Sequence, residues 1–168
     1  MTAALDVRGL TTQFGTRKGA VTAVNDVSFS VQPGRIMGLV GESGSGKSVT
    51  ARAIMGMLAP NALVGPTTKV IFDGDDLSEW SELQLQDIRG RRISMIFQEP
   101  LTSLNPVYKI GDQVGEIITA HRQVSKKELR AEVIRLLKEV QLPNPEERYS
   151  QYPHEMSGGQ RQRVMIAM

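Results

Sequence analysis

The chain of 168 residues is long enough to bury a core as one domain or most of one. Its 20 lysines and arginines against 18 aspartates and glutamates give a net charge of +2, too even to predict a nucleic-acid or membrane-surface binder. The absence of cysteine excludes a disulfide framework and a thiolate metal site. No apolar run approaches the roughly 20 residues that span a bilayer, and residues 1–6 lack a secretory signal, so a cytoplasmic location is expected.

The first elements in chain order are two stretches of alternating apolar residues, which predict strands of an antiparallel sheet. The alternating positions are Leu5, Val7, Leu10, Val27, Phe29 and Val31. Residues 15–19, which include Arg17 and Lys18, predict a solvated hairpin tip between the two strands. Phe14 stands directly before this tip and Val21 shortly after it.

A glycine-rich loop lies between a predicted strand and a predicted helix. The apolar run at residues 36–40 predicts a buried strand, and apolar residues at helical spacing from Val49 to Leu58 predict a helix that ends at Ala59-Pro60. The loop between them, called the phosphate loop, fits G-x-x-x-x-G-K-[ST] and consists of Gly41, Glu42, Ser43, Gly44, Ser45, Gly46, Lys47 and Ser48. Strand, loop and helix in this order are typical of a phosphate-binding site.

These residue types suit a nucleoside triphosphate. Glycines let backbone N–H groups surround an anion at a helix start, where the macrodipole adds partial positive charge. Lys47 would reach the β- and γ-phosphates, and the Ser48 hydroxyl would complete the coordination of Mg²⁺. Phe14 then either stacks on adenine or packs as an ordinary half-buried strand residue, and Val21 is a second candidate for contacting the base.

The next stretch predicts a connection, a strand and a polar helix. Residues 61–68 contain proline and glycine and predict a loop, residues 69–72 predict a strand, and residues 78–89 predict a helix. The acidic residues between the strand and the helix are Asp73, Asp75 and Asp76. They predict a plain turn and not a calcium site, because the rest of a calcium-binding loop is missing.

Residues 93–97 predict another buried strand, and residues 98–106 predict a loop because two prolines and Asn105 break regular structure. Gln98 stands at the end of the strand. A glutamine there either ligates Mg²⁺ or orients a water in a nucleotide site, or is an ordinary loop residue. Spacing alone leaves both interpretations open.

From residue 110 the pattern predicts helices. The apolar face of the first carries Ile110, Val114, Ile117, Ile118 and His121, and that of the second carries Leu129, Val133, Leu136, Leu137 and Val140. Ser125 with Glu128 predicts a capping box at the start of the second helix. His121 and His154 have no metal-ligand spacing and are interpreted as polar or packing residues.

A second helix start with glycines follows near the end of the chain, at Ser157-Gly158-Gly159-Gln160. Ser157 and Gln160 have the spacing of a capping box. The two glycines leave backbone N–H groups uncovered, so this helix start either docks an anion or is simply well capped.

Together these residues resemble the ATP-binding subunits of ABC transporters. Residues 41–48 match the Walker A motif, and Gln98 matches the Q-loop glutamine. Residues 157–160 match the signature motif, with Met156 in place of the usual leucine. The resemblance runs from about Leu5 to the last residue.

Residues 40–50, 97–106 and 151–154 are similar to the importer branch for dipeptides and oligopeptides, with its nickel and glutathione relatives. The resemblance implies an α/β fold of the P-loop NTPase (ABC ATPase) class, with an N-terminal antiparallel β subdomain, an incomplete RecA-like core and a helical subdomain. Residues 1–100 would form the β subdomain and Walker A core, residues 101–156 the helical subdomain, and residues 157–168 the start of the signature helix.

The resemblance also implies ATP and Mg²⁺ as ligands, with Val49 beside the phosphate loop in the nucleotide site and Ser48 and Gln98 at the metal. In such proteins two ATP-binding subunits, identical or similar, meet head to tail, so residues 157–160 would touch the partner's nucleotide. ATP closes the pair and hydrolysis opens it. The motion passes to transmembrane permease subunits at the cytoplasmic face of the membrane, with a solute-binding protein involved indirectly. Nucleic acid is not an expected partner.

The chain departs from the family pattern at its end. Residue 168 lies inside the signature helix, before the family's Walker B strand, catalytic glutamate, D-loop and switch histidine. We therefore expect this chain to hydrolyse ATP poorly or not at all, unlike complete relatives, and the strand at residues 36–40 to expose apolar surface for want of neighbours. One alternative is a non-catalytic chain that binds nucleotide weakly or only docks on a partner. Another is an ABC-type ATPase of DNA repair or translation, which the even charge disfavours.

Overall fold

The computed structural model describes residues 3–97 and 104–168. The chain divides into two compact units, unit 1 (Met1–Ser94) and unit 2 (Met95–Met168). The phosphate loop belongs to unit 1 and residues 157–160 belong to unit 2. Gln98 lies outside the described residues.

Unit 1 holds an antiparallel sheet of five strands. They are β1 (Leu5–Thr16), β2 (Gly19–Val31), β3 (Ala62–Val64), β4 (Lys69–Phe72) and β5 (Asp75–Asp76). The order is β2-β1-β4-β5, with β3 also paired to β1. The predicted hairpin is confirmed, because β1 and β2 pair from Leu5 opposite Val31 to Thr16 opposite Gly19. The sequence does not predict β3 and β5, because strands of three and two residues are too short to show an alternating pattern of apolar and polar residues.

Helix α1 (Lys47–Ile54) follows the phosphate loop and packs on the sheet. The apolar side chains of the helix are Val49, Ala53 and Ile54. They pack against a buried cluster of the sheet that consists of Val7, Leu10 and Val24. The helix ends before the predicted Leu58 because Gly56 has a φ of 63°. The N–H groups of Gly56 and Met57 donate back to the carbonyls of Ala53 and Arg52. This is a Schellman ending, which favours glycine in the left-handed conformation.

The helix predicted at residues 78–89 forms in two pieces. A 3₁₀ turn (Leu77–Glu79) and helix α2 (Glu82–Ile88) are separated at Ser81. Ser81 and Gln84 form a capping box, in which Oε1 of Gln84 accepts from the Ser81 N–H at 2.9 Å and from the Ser81 hydroxyl at 2.8 Å, so a new helix starts here.

The strand predicted at residues 36–40 is absent from the structure. These residues have no regular secondary structure, and Ile36 and Val40 are 102% and 93% exposed. A buried strand needs a neighbour for its backbone hydrogen bonds, and the described ranges 3–97 and 104–168 contain no strand paired with this segment. The expected exposure of apolar side chains in this unpaired segment is therefore confirmed.

The strand predicted at residues 93–97 is wrong for the same reason. In unit 1, Ile93 makes an isolated bridge to Arg89, and in unit 2 residues 95–97 have no regular secondary structure. Ile96 is 55% exposed. The apolar composition marks a segment suited to a sheet, but composition does not supply a partner strand.

Unit 2 is helical. It contains α3 (Ile110–His121), α4 (Lys126–Glu139), α5 (Pro145–Arg148), a 3₁₀ turn (Pro153–Glu155) and α6 (Gly158–Ala167). Its core consists of Leu104, Ile110, Val114, Val133, Leu137, Leu142, Met156 and Val164. The capping box of Ser125 and Glu128 is confirmed, and its hydrogen bonds hold the pKa of Glu128 below its usual value. Within residues 3–97 and 104–168 we find no helix with the length and apolarity required to cross a membrane.

Candidate functional site

The phosphate loop is an exposed turn at the start of α1. Gly44 and Gly46 have φ angles of 82° and 90°, which other residues rarely adopt. Helix α1 begins at Lys47, and its N-cap residue, Gly46, has no side chain that could cap the first N–H groups. The helix start therefore presents backbone donors and the positive end of its dipole to an anion.

The Lys47 ammonium group folds back onto the phosphate loop. Its Nζ donates to the carbonyl oxygens of Gly41 at 2.7 Å and Glu42 at 2.6 Å, and to the Ser45 hydroxyl at 3.3 Å. Three neutral acceptors thus hold a full positive charge at the loop. Phosphate oxygens would replace them with a Coulombic gain, because the new acceptor carries the opposite charge.

Gly46 is the point where the phosphate loop meets the sheet. A β-carbon at this residue would lie 2.5 Å from the carbonyl oxygen of Ala23 and 3.2 Å from Cγ2 of Val24, both on β2. Real β-carbons do not approach other heavy atoms within 3.0 Å. The contact therefore requires glycine for space as well as for its φ angle, and it fixes the loop against a strand.

Arg89, directly after α2, holds the far end of α1. Its Nε donates to the Met55 carbonyl at 2.8 Å, its Nη2 donates to the Gly56 carbonyl at 2.9 Å, and its Nη1 lies 2.6 Å from a carboxylate oxygen of Glu82. A cation at a helix C-terminus also complements the macrodipole. The helix that carries Lys47 is thus fixed at both ends.

Glu82 gives this arrangement a pH dependence. The hydrogen bond from Arg89 holds the pKa of Glu82 below its usual value of 4.5. A carboxylate with a lowered folded-state pKa stabilises the fold above its unfolded pKa, and this contribution is lost as the pH falls through the folded value. Between about pH 5 and pH 3 we expect wild type to lose more free energy of unfolding than Glu82→Gln.

Denaturant titrations followed by the fluorescence of Trp80, the single tryptophan, measure this difference. Glu79→Gln changes an exposed glutamate of the same unit and should match wild type. Equal pH dependence in all three proteins would contradict the prediction.

Phe14 and Val21 lie opposite each other in the hairpin. Phe14 is half-buried and also pairs with Ala62 of β3, whereas Val21 is 56% exposed. Val21 is three residues from Val24 on β2, about 10 Å along a strand. The strand that supports the phosphate loop therefore also carries Val21, the more accessible of the two candidates for contacting a base.

The other residues predicted for unit 1 differ in exposure. Glu42, Ser43 and Ser48 are exposed, whereas the Val49 side chain packs toward the core, which leaves its backbone for a ligand. Asp73 lies in the turn after β4, and Asp75 and Asp76 form β5. All three form ion pairs, Asp73 and Asp75 with Arg92 and Asp76 with Lys69.

Ser157 is the N-cap of α6 and forms the predicted capping box with Gln160. The Ser157 hydroxyl accepts from the Gln160 N–H at 3.3 Å, and Oε1 of Gln160 accepts from the Ser157 N–H at 2.9 Å. Gly158 and Gly159 are exposed, and a β-carbon at either would meet no atom within 4 Å. This helix start leaves room for a ligand or a partner surface.

Comparison with known proteins decides the family. The family model described as ABC transporter matches residues 24–168. The chain belongs to the ABC transporter family. The oligopeptide transport ATP-binding protein OppD of Escherichia coli (strain K12) is 48% identical over 166 residues, which cover 99% of this ABC transporter chain and 49% of OppD. The dipeptide transport ATP-binding protein DppD of Bacillus subtilis (strain 168) is 47% identical over 164 residues, covering 98% of the chain and 49% of DppD.

This ABC transporter chain spans about half the length of these curated relatives. Among solved structures, the dimeric MJ0796, a bacterial ABC transporter cassette, matches with a TM-score of 0.82 and 25% identity, covering 97% of this chain and 67% of that one. The predicted family, the resemblance to oligopeptide and dipeptide relatives, and the fold class are confirmed.

The sequence-based prediction misses two residues of this ABC transporter chain, Arg89 and Gln113. The backbone partners of Arg89 lie 34 and 33 residues away, and no local pattern marks them. Gln113 is 6% exposed and stands beside Ile110 and Val114 near the start of α3. A polar residue on the apolar face of a helix indicates a buried, hydrogen-bonded amide, and the sequence did contain this signal.

Proposed function

We propose that this chain is the ATP-binding component of an ABC-type importer that takes up peptides or similar solutes at the expense of ATP hydrolysis. The observation that carries the proposal is the exposed phosphate loop at the start of α1 with the Lys47 ammonium group folded onto it. The names of OppD and DppD, which are ATP-binding proteins of oligopeptide and dipeptide transport, support the solute class.

Residues 41–49 would hold the phosphates in this proposal. Backbone N–H groups and Lys47 bind the β- and γ-phosphates, while the exposed Ser48 hydroxyl is the kind of hard oxygen ligand that Mg²⁺ takes. Mg²⁺ held at this hydroxyl would neutralise phosphate charge. Gln98 assists at the metal or orients a water, and the adenine lies against Phe14 and Val21 of the hairpin.

The second helix start with glycines is the basis for the proposed partner subunit. Residues 157–160 contact the nucleotide of a second ATP-binding subunit, identical or similar, and the exposed glycines support this role. Residues 1–100 form the β subdomain and Walker A core, 101–156 the helical subdomain and 157–168 the start of the signature helix. Permease subunits hold the protein at the cytoplasmic face of the membrane, and a solute-binding protein delivers the solute to them.

Titration with MgATP tests this proposal. We expect Lys47→Ala to weaken binding by about 10- to 100-fold, because a hydrogen bond to a charged group contributes about 1.5–3 kcal/mol. Isothermal titration calorimetry measures the dissociation constants with and without Mg²⁺. Lys127→Ala removes the same charge from an exposed position on α4 and should match wild type. Equal affinities for all three proteins would place the nucleotide elsewhere.

The exposure of Ile36 and Val40 favours a second candidate, a chain that binds ATP weakly without turning it over. The segment directly before Gly41 has no partner strand among the described residues, so one side of the phosphate loop is poorly supported. ATP turnover by the purified chain that Lys47→Ala abolishes would exclude this candidate.

A further inference from the structure

Unit 1 contains a cavity of about 390 Å³ at the end of α1 that is far from the phosphate loop. Its walls come from the last turn of α1 with Gly56, from residues 64–70 and from residues 76–85. The volume lies in the range of small-molecule sites, which is about 300–1,000 Å³. The apolar side chains that line the cavity include Leu10, Ile54, Val64, Val70, Leu77 and Leu85.

Hydrogen bonds within the protein already occupy polar groups in the cavity wall. The Thr68 hydroxyl accepts from the Thr11 N–H at 3.2 Å and donates to the Gly9 carbonyl at 3.1 Å. The Ser78 hydroxyl accepts from the Val70 N–H at 2.9 Å. Water would gain little from groups that have partners, and apolar cavities bind apolar molecules instead. The interior of the cavity therefore favours a ligand with an apolar body.

The wall formed by the end of α1 is fixed in place. Arg89 donates to the carbonyls of Met55 and Gly56, as described above. Gly56 approaches Leu85 so closely that a β-carbon on it would lie 2.8 Å from the Leu85 Cδ1. Because this end of α1 is bonded to the chain around α2, the cavity is formed before a ligand arrives.

The charged groups at the cavity leave one negative charge without a partner. Nζ of Lys69 lies 3.1 Å from a carboxylate oxygen of Asp76, which also accepts from the Ser78 N–H at 3.1 Å. Glu79 lines the cavity too, is exposed, and has no ion pair with another residue that the structure describes. The next residue, Trp80, adds an aromatic ring to the wall, and aromatic rings attract cations.

We propose that this cavity binds a small organic cation, a primary amine with an apolar body. The body packs against Trp80 and the aliphatic side chains, and the ammonium group pairs with the Glu79 carboxylate. An anionic ligand would be repelled by Glu79 and would compete with Asp76 for Lys69. The site goes beyond the proposed function, since the described residues that line it lie outside the phosphate loop and outside residues 157–160.

Titration of the whole chain with phenylbutylamine, phenylbutyrate and phenylbutanol tests the inference, because these probes share one apolar body and differ in charge. NMR spectra follow the backbone amides and the indole N–H of Trp80, the single tryptophan. We expect the amine to bind about fivefold more tightly than the carboxylate, as for a partly exposed ion pair, with the alcohol between them. The shifts should include Trp80 and residues 64–70.

Glu79→Gln keeps the size of the side chain and removes its charge, so the amine and the alcohol should then bind equally. Glu116→Gln removes the same charge from an exposed position on α3 and should keep the preference for the amine. Val64→Phe adds a ring at a lining position that is 48% exposed, and should weaken all three probes about fivefold or more by filling the cavity. If Val64→Phe does not fold, Glu79→Gln decides the matter alone.

Four results would overturn the inference: no binding of the amine, equal affinities for the three probes, tighter binding of the carboxylate, or shifts confined to residues outside the cavity. A preference for the amine that persists in Glu79→Gln would do the same. The MgATP affinity of Glu79→Gln should match wild type. Wild type that fails to bind MgATP would remove the proposed function and leave this site in place, so the two failures are distinguishable.

Discussion

Gly46→Ala is expected to destabilise unit 1 by about 3 kcal/mol, through backbone strain of about 1–3 kcal/mol and a clash of similar size. The φ angle of 90° is unfavourable for a residue with a β-carbon. The added carbon would lie 2.5 Å from the carbonyl oxygen of Ala23, which is part of the sheet backbone and does not rotate away. The loop must then leave β2, so nucleotide binding should be lost as well.

Denaturant titration of Trp80 fluorescence measures the first effect, since Trp80 packs against the buried cluster of Val70 and Leu77 in unit 1. Gly34→Ala is the matched control. Gly34 has a φ of 69° but no atom within 4 Å of its added carbon, so this variant bears backbone strain without the clash. Equal losses in the two variants would show that space at Gly46 does not matter.

Gly111→Ala is expected to destabilise unit 2 by about 2 kcal/mol, although alanine favours a helix by about 1 kcal/mol over glycine. The added carbon would lie 2.5 Å from Cδ2 and Cε2 of Tyr149. The aromatic ring must move, and it would then lose the guanidinium of Arg130, whose Cζ lies 4.7 Å from the ring centroid. The carbonyl of Tyr149 would also shift from the N–H of Gly111.

Gly115→Ala is the control for Gly111→Ala, because it lies on the same helix and its added carbon would meet Leu129 at 3.4 Å, an ordinary contact. We expect this variant to be neutral or slightly stabilised. Hydrogen exchange of α3 amides reports both changes. The double variant of Gly111→Ala and Tyr149→Ala should lose less free energy of unfolding than the two single variants lose in sum, because the ring that clashes is gone. Strict additivity would contradict the proposed clash.

Much of the local structure could be predicted from the sequence, because its causes lie within a few residues. The capping boxes at Ser125 and Ser157 depend on a partner three positions later, and both are confirmed. The β1–β2 hairpin depends on alternation and a glycine-containing tip, and the phosphate loop on its own glycines and Lys47. The family resemblance needed these short motifs in combination.

Tertiary structure alone decided the features whose partners are distant in the chain. Residues 36–40 have the apolar content of a buried strand, yet they form none here because a strand exists only where another backbone completes its hydrogen bonds. Arg89 serves the far end of α1, and Gln113 fastens Asn105, only because folding brings those carbonyls to their side chains. Local patterns indicate which elements a segment can form, whereas long-range contacts determine which of those elements form and which side chains stabilise them.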